Sequence, residues 1–409
     1  MKKQLLHDVL ELAEKHCGEK FTHNLLNLCK ERERILNGVW RKESLPEELS
    51  TAYQKDNLLR NIDFDTIIYQ AGKCLIKPDY LVFLNEIADR AIQYAEFKRG
   101  KETLFLILKL AGKKNQEDTA ELLRKLGNIE FYTNSFVRAH GYFNKSLALF
   151  NKAENKLGIV TIRNVLGAVL VEEGRFYEGE IHLIQARKIA TEENFTDLIA
   201  RINMNLGNIY NMRGNSEDAI NCYQKARSAN QDKDKDLLSN ILLNLAIAYK
   251  FMQDYEKAGD YVTQAQEVNK QTNNFYQKGL LYLIKAEVAG LQDELSMATA
   301  FVTSAFAIFS EIGDRLSIAE AYKILGMINR LSKNFDIALS YFENSKRIYE
   351  LITNPINLAE TLVEMAKLYI DMGDKATAKK VVNKAVKNFQ KIGGDRKVEH
   401  TQSIFSNLL

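Results

Sequence analysis

Proline is almost missing: the chain has 3 in 409 residues, where ordinary usage of about 5% would give roughly twenty. A chain that so rarely needs a locked φ and a missing N–H donor spends little of its length in loops and much in helices. Sandwiches, barrels and disordered tails, which use Pro and Gly freely, are thereby excluded as the main architecture. Long apolar runs are missing too. None exceeds Leu104 to Leu108, far too short to span a bilayer, and Asp8, Glu11 and Glu14 interrupt the stretch a signal peptide would need. No charge sign dominates: 56 basic residues face 53 acidic ones, net +3, a balance that calls for neither nucleic acid nor a membrane surface. The four cysteines, Cys17, Cys29, Cys74 and Cys222, have no paired spacing, as in reduced cytosolic proteins. What is present, 46% hydrophobic and 27% charged residues, suffices for a buried core. The expectation is a soluble cytoplasmic protein without a membrane segment. Its length suggests two or three domains, or one elongated array.

Internal repetition decides between these. Small residues recur at Ala139, Gly179, Ala219, Ala258, Ala298, Ala338 and Ala378, separated by 40, 40, 39, 40, 40 and 40. Twelve residues before each stand Gly127, Gly167, Gly207, Ala246, Ala286, Gly326 and Ala366. Seven after stand Ser146, Ala186, Ala226, Ala265, Ala305, Ser345 and Ala385. A large residue precedes the first column at Leu126, Leu166, Leu206, Leu245, Leu325 and Met365, with Lys285 breaking the pattern. Four after the Ala column come Phe143, Leu183, Tyr223, Val262, Val302, Phe342 and Val382. Each unit therefore reads as two helices, the first carrying a small residue where its neighbour crosses closely. Asn134, Gly174, Gly214 and Gly373 suit left-handed helix ends, and Pro355 behind Asn354 suits a helix start behind its cap.

These columns resemble the tetratricopeptide repeat, whose pattern runs Leu-Gly, Tyr, Gly, Ala, aromatic, Ala. The third unit carries it nearly whole, in Leu206, Gly207, Tyr210, Gly214, Ala219, Tyr223 and Ala226. The usual period is 34; at 40 each helix is longer by most of a turn, roughly 5 Å. Long-helix arrays of this kind are found in LGN/Pins adaptors, kinesin light chains and bacterial Rap/PlcR-type peptide receptors. The resemblance implies an all-α, right-handed superhelix of seven repeats over 116–394. A capping helix over 395–409 follows, using Ile404, Phe405, Leu408 and Leu409.

The N-terminal third reads differently. Helices are expected over 2–17, 21–37, 46–62, 64–76, 79–98 and 101–112, with a stop at Asn37-Gly38 and a capping box of Ser44 and Glu47 around Pro46. Pro78 with Asp79 begins the helix over 79–98. Residues 1–78 form a helical bundle in this reading, and 79–115 a degenerate or transitional repeat. Rap-type proteins share such a layout.

No catalytic motif is present: neither a phosphate-binding loop, a His-Glu-x-x-His, a Gly-x-Ser-x-Gly nor a dinucleotide fingerprint. Cys17, His23 and Cys29, with His16 and His7, fit no zinc spacing. The chain is expected to be no enzyme and to need no cofactor or metal. The functional signal is a polar stripe on first helices, which line the concave groove in the family it resembles. That geometry selects Arg201, Asn205, Asn208 and Asn211 in the third unit, and Asn240, Asn244 and Lys250 in the fourth. Arg124, Lys125, Asn128 and Asn164 flank them. In LGN/Pins repeats the places matching Arg201, Asn205 and Asn208 also hold Arg, Asn and Asn. A carboxamide offers one acceptor and two donors, as an extended peptide backbone requires. Alternatively the asparagines are solvated, or bond between neighbouring helices.

A second feature is basic. Lys375, Lys379, Lys380, Lys384, Lys387, Lys391, Arg396 and Lys397 face only Asp395. Lys379, Lys380, Lys384, Lys387 and Lys391 could draw an acidic partner, or simply solvate the solenoid's end. The lack of interleaved aromatics argues against nucleic acid. The expected function is non-catalytic: a scaffold or adaptor holding a peptide or protein segment in its groove. The alternatives are a peptide-responsive regulator of Rap/PlcR type, and an adaptor or effector whose N-terminal third acts chemically or recruits an enzyme.

Overall fold

A computed structural model describes residues 2–18, 20, 21, 24, 25, 27, 28 and 64–408, apart from 95, 113, 114, 134 and 273. Most of the expected helix over 21–37, the one over 46–62, the Asn37-Gly38 stop, the Ser44–Glu47 box at Pro46, and His23, Cys29, Asn134 and Leu409 lie outside these residues. The described residues form helices and turns, in two compact units, Met1–Asn155 and Lys156–Leu409. The division falls between the first and second repeats.

The first unit holds α1 (Lys2–Cys17), α2 (Phe64–Cys74), α3 (Lys77–Gln93), α4 (Phe97–Ala111), α5 (Gln116–Tyr132) and α6 (Phe136–Lys152). Val9, Leu10, Ala13, Phe21, Leu25, Ile67, Phe83 and Ile87 make its bundle core. A second cluster, from Leu84 and Ala88 through Leu104 to Leu126 and Ile129, joins the pair α3–α4 to the first repeat, α5–α6. The helix expected over 79–98 instead ends at Gln93, and a new one starts at Phe97. The turn has no proline or glycine to announce it. It closes by backbone bonds from Tyr94 N–H to Arg90 C=O and from Glu96 N–H to Ala91 C=O. Gly100 then lets α4 approach Ala91 and Ile92, which a Cβ would meet at 3.6 and 3.3 Å.

The second unit runs α7 (Lys156–Glu172), α8 (Phe176–Glu192), α9 (Thr196–Arg213), α10 (Ser216–Asn230), α11 (Lys235–Phe251), α12 (Tyr255–Thr272), α13 (Phe275–Leu291), α14 (Leu295–Ile312), α15 (Arg315–Leu331), α16 (Phe335–Leu351), α17 (Pro355–Asp371), α18 (Lys375–Lys391) and α19 (Asp395–Ile404). Odd helices are the first of each pair; each packs along its even partner, and successive first helices also touch. Asp234, Asn274, Asp314 and Asn354 cap α11, α13, α15 and α17 by accepting backbone N–H bonds. At the other ends a left-handed residue recurs at twenty-residue spacing: Gly174, Asn194 and Gly214, and again Asp293, Gly313, Lys333, Thr353, Gly373 and Gly393.

The small and large columns meet inside each repeat. A Cβ built on Gly127, Gly167, Gly207 or Gly326 would lie 2.5, 2.5, 2.5 or 2.6 Å from the side chain of Phe143, Leu183, Tyr223 or Phe342. Where the first helix carries Ala instead (Ala246, Ala286, Ala366), the facing residue of its partner is Val262, Val302 or Val382. Glycine is matched with a bulky side chain and alanine with valine, so the crossing is filled either way. Lys285, the exception in the Leu column, lays its stem toward Phe301, with Nζ 5.2 Å from the ring centroid, and donates to Gln266. One described helix, α14, is long and apolar enough to cross a membrane by length and composition. Its Ala298, Val302, Ala305 and Phe309 are buried in the core of the unit.

The chain closes on itself within this unit. A core cluster joins Val171, Phe176 and Leu206 of the second and third repeats to Phe389, Ile392, Val398 and Phe405 at the C-terminus. Helix α19 packs on α18 and also reaches α9. It buries Val398 and Thr401, with Phe405 just beyond, while Ile404 stays exposed.

Candidate functional site

First helices α9 to α17, with α19, line two adjoining cavities of ≈ 430 and ≈ 280 Å³, the larger within the range of small-ligand pockets. The larger is walled by Asn208, Asn211, Asn240 and Asn244 and by Leu283, Ile284, Leu316 and Ile356. The smaller is bounded by Phe251, Leu291, Met327, Phe389, His400 and Ile404. Asn211, Ile247, Lys250, Glu287, Lys323, Glu360 and Lys397 line both.

Five of the expected groove residues thus meet at one site: Asn208, Asn211, Asn240, Asn244 and Lys250. The carboxamides are partly engaged with one another. Asn244 Nδ2 donates to Asn208 Oδ1 at 3.0 Å, and the buried Tyr223 hydroxyl donates to the same oxygen at 2.9 Å. Gln277 Nε2 donates to Asn240 Oδ1 at 3.4 Å. Among the described residues Asn211 has no side-chain partner, and neither do the N–H groups of Asn208. Asn205 instead donates to Asn164 Oδ1 at 3.0 Å, a bond between neighbouring first helices that keeps both off the cavity wall. Arg201 pairs with Asp234, the cap of α11, at 2.6 Å, in a separate hollow with Asp197 and Lys233. In the first unit, Lys125 is buried against Asp89 and Asn85, and Arg124 binds Glu121; Asn128 is half-buried.

A line of charged residues is shared by the two cavities. Lys250, Glu287, Lys323, Glu360 and Lys397 alternate in sign at separations of 37, 36, 37 and 37 residues. Each step falls about three short of the repeat, one helical turn, so the line crosses the first helices diagonally. Lys250 meets Glu287 at 2.5 Å, Lys323 meets Glu320 at 2.7 Å and Glu360 at 3.4 Å, and Lys397 also pairs with Glu360. Burial alone would raise the Glu360 carboxyl, but Lys397, Lys323 and Lys250 outweigh it and hold it well below the usual range. Burial would likewise lower the Lys323 ammonium, yet Glu320, Glu360 and Glu287 keep it well above its ordinary value. Glu287 is lowered in the same way, Lys250 and Lys323 overcoming its burial. Glu287, Lys323 and Glu360 therefore stay ionised, each paired with an oppositely charged neighbour, which is the condition for buried charges. A search for charge at 37 rather than 40 residues would have found the line.

The basic stretch divides. Lys379, Lys380, Lys384, Lys387 and Lys391 lie on the exposed face of α18, with Lys384 paired to Glu350 at 3.2 Å. Lys397, counted with them in the sequence, is turned inward and only 7% exposed. Among the described residues there is no group of His, Cys, Asp and Glu arranged to hold a metal.

Residues 158–232, 198–271 and 359–391 match tetratricopeptide repeat families. These segments are tetratricopeptide repeats. The matched TPR segments include every expected cavity residue, from Asn208 to Lys250. No curated protein matches the sequence. Among solved structures, aspartyl phosphate phosphatase F from Bacillus subtilis is similar over 96% of this chain and 94% of its own, with 16% identity and a TM-score of 0.56. The apo quorum sensor NprR from B. thuringiensis is similar over 85% of this chain and 98% of its own, with 18% identity and a TM-score of 0.54. NprR in complex with its cognate peptide NprX covers 69% of this chain and 84% of its own, at 14% identity and a TM-score of 0.53. At these identities the likeness is one of fold: an all-α TPR superhelix.

Proposed function

We propose that the second unit is a non-catalytic receptor for a short peptide or extended protein segment, held in the larger cavity. The carrying observation is four carboxamides, Asn208, Asn211, Asn240 and Asn244, lining the same cavity as Leu283, Ile284 and Leu316. Asparagine costs about 0.5–0.7 kcal/mol against alanine inside a helix, so four in one cavity favour a use. Unpaired amide donors and acceptors there match the alternating N–H and C=O groups of an extended backbone, while Leu283, Ile284 and Leu316 can receive apolar side chains. The peptide complex of NprR, similar in fold, supports the same reading. It also favours the finer version, a peptide-responsive regulator, over a rigid adaptor.

The test is binding of a library of short synthetic peptides to the full chain, with Asn211→Ala/Asn240→Ala as the comparison. These two asparagines carry little internal bonding, whereas Asn208 supports the Tyr223 hydroxyl. A selected peptide should bind the wild type at least about tenfold more tightly than the variant, the loss of one or two hydrogen bonds. Equal binding to both would refute the site. A peptide contacting only the exposed lysines of α18 would point to the basic face instead.

A further inference from the structure

The C-terminal helix α19 is held by the apolar contacts of Val398 and of Phe405 just beyond it, and by polar and aromatic contacts that centre on Lys397. Lys397 pairs with Glu360 of the seventh repeat. Its Nζ also stands 5.3 Å from the ring centroid of Phe251, in the fourth repeat, and 5.8 Å from that of Phe389. His400, one turn on, packs against Phe251 with ring centroids 5.3 Å apart. The seat on the third repeat is Gly214, the left-handed end of α9, where an added Cβ would stand 3.0 Å from Arg396 Cβ and 3.2 Å from Lys397 N. A helix of ten residues is too short to persist alone in water, so α19 exists because of its seat. Lys397, His400, Thr401 and Ile404 then form one wall of the smaller cavity.

Resting on the reading of the cavities as a peptide site, we propose that α19 is a latch: the Glu360–Lys397 link holds it on its seat and so controls entry to the cavities. When the link opens, α19 loses its seat and frays. The wall formed by His400, Thr401 and Ile404 is withdrawn, and Phe251, Met327 and Leu291 meet solvent. The line of alternating charges suits this role, because Glu360 remains paired with Lys323 when Lys397 departs. The rest of the unit survives the opening.

The experiment is peptide-level hydrogen exchange on the full chain without any added peptide. Four forms are compared with wild type: Lys397→Met, Lys397→Arg, Gly214→Ala and Gly373→Ala. Lys397→Met should raise exchange across Asp395–Ile404 by about tenfold and leave α13 and α15 unchanged. Lys397→Arg, which keeps the charge, should stay near wild type. Gly214 and Gly373 share a positive φ, +86° and +83°, but a Cβ on Gly373 meets nothing within 4 Å. Both substitutions strain a helix end, and only Gly214→Ala should loosen α19. Unchanged exchange in Lys397→Met would overturn the latch, as would a rise shared equally by all helices of the unit. If Lys397→Met does not fold, the two alanine variants decide alone. Because no peptide is used, failure here leaves the receptor reading standing, and failure of the peptide titration leaves the latch standing.

Discussion

The pairing of Gly with a bulky residue and Ala with Val allows a designed exchange. In the sixth repeat, a Cβ on Gly326 would lie 2.6 Å from both Cδ1 and Cε1 of Phe342 and 2.9 Å from Cγ. Phe342 is fully buried among Ala321, Ile324 and Ala338, so its ring has nowhere to move. Overpacking of this kind costs about 1–3 kcal/mol, and replacing helical Gly by Ala returns about 1 kcal/mol. Gly326→Ala should therefore destabilise by up to about 2 kcal/mol. Phe342→Val alone leaves a cavity and costs about 2–3 kcal/mol, below the Phe→Ala range. The double variant recreates the Ala–Val crossing of the fourth, fifth and seventh repeats. Its cost should be smaller than the sum of the single costs by at least about 1 kcal/mol. Denaturant unfolding followed by circular dichroism gives the three values. Hydrogen exchange in α15 and α16 guards against the loss of two-state behaviour that long arrays show. Additive effects, with a coupling below about 0.3–0.5 kcal/mol, would refute the claim that these two columns fill one crossing.

Two further outcomes follow from the turns and the charge line. Thr353 sits at φ 55°, where a β-branched residue pays about 1–2 kcal/mol; Thr353→Gly should raise stability by about 1 kcal/mol, measured by thermal unfolding. Glu360 is depressed below its ordinary 4.5, so it stabilises the fold above that pH and loses its contribution as pH falls toward the folded value. The melting temperature should accordingly drop between about pH 5 and pH 3, and Glu360→Gln should flatten that drop. An identical pH slope in the variant would contradict the assignment.

The repeat register was legible because three columns carry a steric demand that only Gly, Ala or Ser meets, and their partners vary in compensation. Helix ends were legible only in part. Gly174, Gly214 and Gly373 announce a left-handed turn, but Asp293, Lys333 and Thr353 occupy the same position with no such signature, held there by the turn's backbone bonds. The break after Gln93 had no signal at all. Among the groove residues, the groove geometry of the family the repeats resemble picked out Asn208, Asn211, Asn240 and Asn244, which line one cavity. It could not show that Asn205 would spend itself on Asn164, or that Lys125 would be buried by Asp89, since both depend on the neighbouring helix. The charge line stayed hidden because its members are spaced by 36 or 37 residues rather than by the repeat.

The most direct measurement of the central claim places a photo-crosslinking amino acid at Asn211 of the full chain and irradiates it with the peptide selected from the library. The account predicts a one-to-one adduct at position 211, suppressed by excess unlabelled peptide and absent when the crosslinker stands at Asn205, which faces its neighbour Asn164. A peptide that crosslinks equally from both positions, or that binds without reaching Asn211, would contradict it.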